Sequence, residues 1–128
     1  MLYAVLCYAA EDAVTSWSKE QDEAVMGRLA VIQQKYAEAG RLGPVARLLP
    51  TTAATTVRKV RGESVVLDGP FAETKEQLLG FYTVECSDLE EAVGFAREIS
   101  DANPAGGSYE IRPVGVLNPI PATIKHPT

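Results

Sequence analysis

The chain has 128 residues, enough for one domain with a real core, and 46% of them are apolar. A net charge of -5 and a pI of about 4.9 exclude a general nucleic-acid binder, which needs a basic face to displace counterions. No run approaches the roughly 18 consecutive apolar residues of a membrane helix, and "MLYAVLCYAAED" lacks the positive start and cleavage site of a secretory signal, so a cytoplasmic protein is expected.

Leu2 to Tyr8 is a short run rich in branched and aromatic residues and predicts a strand. Leu2, Ala4, Leu6 and Tyr8 would face one way, and Tyr3, Val5 and Cys7 the other, so both faces call for burial. Ala9 to Trp17 is expected as a loop. Ser18-Lys19-Glu20-Gln21 fits a capping box and opens a helix over 18–40. Val25, Leu29, Ile32 and Tyr36 form its apolar stripe, and Gly40 stops it. Arg41 to Leu49 predicts a second strand, and Pro44 makes it an edge because proline lacks a ladder donor.

Thr55 to Arg61 and Ser64 to Leu67 predict a hairpin turning at Gly62-Glu63, in type II′ geometry. Leu78 to Cys86 is a further strand, apolar on both faces apart from Thr83 and Glu85. Ser87-Asp88-Leu89-Glu90 reads as a second capping box and opens a helix over 88–100. Its stripe is Leu89, Ala92, Val93, Ala96 and Ile99. A Gly/Pro loop follows, and Tyr109 to Leu117 predicts a last strand, again an edge because of Pro113. From Asn118 the sequence "NPIPATIKHPT" has no periodicity, so a domain over 1–117 with a tail or strap over 118–128 is expected.

The order strand, helix, strand, hairpin, strand, helix, strand is the α+β, ferredoxin-like βαββαβ arrangement with one inserted β-hairpin. In that topology the two strands apolar on both faces are central and the two proline-bearing strands are edges. Two helices cover one sheet face only. The other face, expected to carry Tyr3, Val5 and one side of Leu78–Glu85, needs a second layer. The simplest solution is a homodimer packed sheet against sheet, with a ligand cavity between the sheets.

The stretch "VLDGPFAETKEQLLGFY", with the "ATTVRKVRGE" hairpin before it and the "SDLEEAVGFAREI" helix and "YEIRPV" strand after it, resembles the YCII-related family. More narrowly, it is similar to the DGPF branch, named for the motif at Asp68-Gly69-Pro70-Phe71. The resemblance covers about residues 1–117 and implies a ferredoxin-like subunit of a dimeric α/β barrel. It further implies an unknown small-molecule ligand and a functional link to an extracytoplasmic-function sigma factor. Some YCII relatives are cofactor-free enzymes acting on small aromatic or lactone-like compounds through a His–Asp pair. Here the single histidine is His126, in the tail, so no core histidine is available to Asp68.

The candidate site residues follow from the motif and the strands. Asp68 is either a turn residue bonding to amides two positions on, or a general base aimed into the barrel mouth. Lys75 is either a solvated loop cation or its catalytic partner. Phe71 either anchors the loop or stacks on a ligand, and Thr74 stands beside it. Arg58, with Lys59 and Arg61, is either a solvated hairpin cation or a clamp for a ligand carboxylate. Tyr3 and Tyr82 are core residues or cavity liners offering a hydroxyl. Two functions therefore stand open. One is a small-molecule-binding protein with a regulatory role. The other is a cofactor-free isomerase, lyase or dehalogenase acting on a small cyclic or aromatic compound with Asp68 as acid or base. Cys7 and Cys86 lack the spacing of a redox or metal motif. No cofactor, no metal, no nucleic acid and no membrane partner is expected.

Overall fold

A computed structural model of the chain describes residues 1–119. The strands are β1 (Leu2–Ala9), β2 (Leu42–Arg47), β3 (Thr55–Val60), β4 (Glu63–Asp68), β5 (Gln77–Glu85) and β6 (Ser108–Pro113). The helices are α1 (Glu11–Thr15), α2 (Lys19–Glu38) and α3 (Leu89–Ala102). The main sheet runs β2-β5-β1-β6 and all its pairings are antiparallel, while β3 and β4 form a separate two-stranded ribbon. This is the ferredoxin-like order with an inserted hairpin. The strands that are apolar on both faces, β1 and β5, lie at the centre. Pro44 and Pro113 lie on the edge strands, where a missing ladder donor costs nothing.

The long helices share one side of the sheet. Their inward residues Val25, Leu29, Tyr36, Ala92, Phe95, Ala96 and Ile99 pack on Tyr3, Val5, Tyr82 and Val84. Phe95 is the hub: Tyr36 and Tyr82 meet its ring edge-on, with centroids at 4.8 and 5.5 Å. Tyr3 and Val5 therefore lie under the helices, opposite to the face expected for them. The other face carries Leu2, Ala4, Leu6 and Tyr8. Leu2 is fully buried, and the other three are half-buried.

Four local expectations change. The segment after β1 is not all loop, because Glu11–Thr15 forms a short helix. The hairpin pairs Val60 with Glu63, so its turn residues are Arg61 and Gly62. Both have positive φ, 51° and 84°, which makes the turn type I′ rather than II′. The cap of α3 is Asp88 rather than Ser87: its side chain accepts from the Glu91 N–H at 2.9 Å. The last strand ends at Pro113. For α2 the Ser18 capping box is present in both directions.

Two irregularities shape the sheet beneath α2. Cys7 pairs with Gly80 but Tyr8 pairs with Leu78, so Leu79 is an extra residue on β5. Gly80 faces β2 so closely that a Cβ there would lie 2.4 Å from the Ala46 carbonyl oxygen. Only glycine fits that approach.

Candidate functional site

The ribbon and its root hold most of the residues singled out by the motif. Asp68 ends β4, opposite Thr55. Gly69 takes a φ of 90°, as the turn reading requires. Its N–H donates to the Ala54 carbonyl at 2.8 Å, and its carbonyl accepts from the Thr56 hydroxyl at 2.7 Å. These two bonds close the open end of the ribbon. The Asp68 carboxylate contributes nothing to the closure. It is exposed and, among the described residues, has neither a hydrogen bond nor an ion pair. The expected bond to an amide two positions on cannot form, because that position is Pro70, which has no N–H.

The rest of the motif is also at the surface. Phe71 is 79% exposed and anchors nothing among the described residues. The Thr74 hydroxyl donates to the Glu76 carbonyl, and the Gln77 amide reaches back to the Ala72 carbonyl at 3.2 Å. Lys75 is exposed and makes no ion pair with Asp68. Arg58, Lys59 and Arg61 are exposed as well. Among the described residues, Asp68, Lys75, Phe71, Thr74 and Arg58 thus line no cavity. Tyr3 is buried in the core and lines none among them either.

Tyr82 does. A cavity of about 460 Å³ lies between the sheet and the helices, on the side opposite to the one expected for a ligand. Cys7, Tyr82 and Tyr109 from three adjacent strands supply sheet-side lining, and Met26, Leu29 and Gln33 of α2 line it from the helix layer. Its rim is carried by the exposed side chains of Thr15, Leu48 and Leu49. The walls are dominated by apolar and aromatic groups, with a few polar groups converging, the usual make-up of a small-molecule site.

Those polar groups stay uncharged at neutral pH. Burial pushes the Tyr82 hydroxyl up to about 12, with the neighbouring Gln33 amide acting against it. Burial raises Tyr109 too, and Asn103 opposes that shift. The Cys7 thiol is pushed up to about 12 by burial and donates weakly to the Val5 carbonyl at 3.7 Å. A thiol so far from ionisation is no nucleophile. The two charged side chains at the border are already engaged. Arg47 grips Asp22 of α2 with two nitrogens, at 2.7 and 3.2 Å. Glu11 of α1 accepts from the Thr51 N–H at 2.7 Å and from its hydroxyl.

Gln33 had a readable signal. It sits four residues after Leu29 and three before Tyr36, a polar residue in the apolar stripe of α2. Glu11, Trp17 and Asn103 had none, since they come from segments with no periodicity. Among the described residues no group of three His, Cys, Asp or Glu side chains stands close enough to share a metal ion. No helix among them is long and apolar enough to cross a membrane.

Fold and cavity together define a class: a ferredoxin-like α+β domain with a pocket between its sheet and its long helices. Within that class the chain belongs to the YCII-related domain family, which it matches over residues 1–118. It is also 62% identical, over 119 residues, to a protein of Rhizobium meliloti (strain 1021) known only as uncharacterized protein R00369. That match takes in 93% of this chain and 96% of the relative.

Proposed function

We propose that this chain is a small-molecule-binding protein that holds its ligand in the cavity between β1, β5, β6 and α2. The observation that carries the reading is the cavity itself, about 460 Å³ of mostly apolar wall with Tyr82, Gln33, Tyr109 and Asn103 as its hydrogen-bonding groups. Binding is favoured over catalysis because burial keeps the protons of Cys7, Tyr82 and Tyr109 in place at neutral pH, while Arg47 and Glu11 are engaged by Asp22 and Thr51. Asp68, the acid or base of the enzymatic alternative, is exposed and absent from the cavity wall. In the sigma-factor setting that the resemblance implies, ligand binding would serve regulation.

The test is native mass spectrometry of the protein purified from its own host, beside a Val14→Trp variant. Val14 is a half-buried cavity-lining residue on α1, so a tryptophan there fills space without entering the main core. The expected result is a small molecule that travels with the wild type and is lost from the variant. A wild type that carries nothing, and that no compound library stabilises against heat, overturns the reading.

A further inference from the structure

We propose that the cavity selects an uncharged, largely apolar ligand with a hydroxyl or carbonyl group, and discriminates against carboxylates of the same shape. The inference rests on the binding role just given and adds the ligand's chemical class.

A ligand entering the cavity leaves water, and a buried charge without a partner is strongly disfavoured. An anion would need a free cation on the wall. Among the described residues the single lysine or arginine there is Arg47, and both terminal nitrogens of its guanidinium already hold the Asp22 carboxylate. The carboxylate of Glu11 adds like charge against an anion. That charge is not cancelled, because its two oxygens accept from neutral groups of Thr51, one from the amide and one from the hydroxyl. Freeing Arg47 for a ligand breaks the pair that joins β2 to Asp22 of α2.

A neutral ligand meets none of these costs. Tyr82 and Tyr109 carry hydroxyls that both donate and accept, and Gln33 and Asn103 carry amides that do the same. A hydroxyl or carbonyl can join either pair without displacing an ion pair. The remaining contact is apolar and aromatic, from Trp17, Met26 and Leu29. The basic cluster around Arg58, expected to clamp a carboxylate, is absent from the cavity wall.

The experiment is isothermal titration of the full chain, at neutral pH, with two probes that share one ring system: naphthylmethanol and naphthoate. Val14→Trp serves as the location control. The expected result is binding of the alcohol at least tenfold tighter than naphthoate, and lost in the variant. If naphthoate binds as tightly as the alcohol and the variant blocks it, the cavity binds ligands but the proposed selectivity is wrong. Alcohol binding unchanged in the variant would place the site elsewhere and overturn the proposal. If no probe binds the wild type, the binding role itself fails, and the selectivity with it.

Discussion

Thr51 donates its backbone N–H to Glu11 Oε2 at 2.7 Å and its hydroxyl to the other carboxylate oxygen. The pair joins α1 to the segment after β2, and both elements contribute to the cavity rim. It is charge-assisted and two-pronged, yet sits outside the main core. Glu11→Ala is therefore expected to loosen the rim more than the fold. Global stability should fall by about 1.5–3 kcal/mol, the range for a hydrogen bond to a charged group. Trp17, the single tryptophan and a cavity-lining residue, should become more accessible to acrylamide. Unchanged quenching in a folded Glu11→Ala variant would show that the pair does not close the rim.

The Asp68 and Gly69 positions separate shape from chemistry in the motif. Asp68 has no hydrogen bond to lose among the described residues, so Asp68→Asn should change stability by about 0.5 kcal/mol or less. It should also leave ligand binding intact, because Asp68 is not on the cavity wall. Gly69→Ala forces a side chain onto a backbone with a φ of 90° and strains the closure of the ribbon. A cost of about 1 kcal/mol or more is expected. Chemical denaturation of both variants decides it. A destabilised Asp68→Asn, or a silent Gly69→Ala, contradicts this account.

The sheet face away from the helices sets the assembly prediction. Leu6 and Tyr8 are half-buried on that face, and both long helices pack on the other. The ribbon adds Val57 and Val66, cross-strand neighbours left 67% and 69% exposed. A two-stranded ribbon is marginal alone, and exposed apolar patches of this kind mark contact surfaces. A second copy is expected to cover them. Light scattering should then give about twice the chain mass of 13.8 kDa. Leu6→Glu should return the monomer. A monomeric wild type at micromolar concentration would refute the dimer.

The fold was legible where one physical rule acted alone. Two-faced apolar runs could only be central strands, and Pro44 and Pro113 could only be tolerated at edges. The hairpin turn was misread because Arg61 adopts a left-handed conformation that a non-glycine residue does not advertise. Phe95 was passed over beside Ala92, Ala96 and Ile99, although it lies on the same helical face and is the aromatic hub of the core. The cavity was the least legible feature. Its wall is assembled from three helices, four strands and the segment after β2, and no short motif encodes such a convergence. The most conspicuous motif instead encodes the closure of an exposed ribbon.

Buried, neutral hydrogen donors make a last prediction about alkaline pH. Burial pushes Cys7 from 9.0 to about 12. Tyr82 goes from 10.0 to about 12, again by burial. Tyr36 goes from 10.0 to about 12 by burial, reinforced by the Glu98 carboxylate that its hydroxyl bonds. Each pKa is higher in the folded chain than in the unfolded one. The unfolded state releases these protons first, so stability is complete below about pH 9 and falls as the pH rises toward about 12. The urea midpoint should be flat up to about pH 9 and then decline, with an unchanged m-value. Tyr82→Phe removes one titrating group, so the decline should become shallower by about one proton's worth of slope. Tyr82→Phe isolates ionisation from packing, because the ring that meets Phe95 edge-on is kept. A midpoint that holds steady through this window, or a Tyr82→Phe variant with an unaltered slope, would show that these groups titrate in the folded chain as they do in the unfolded one.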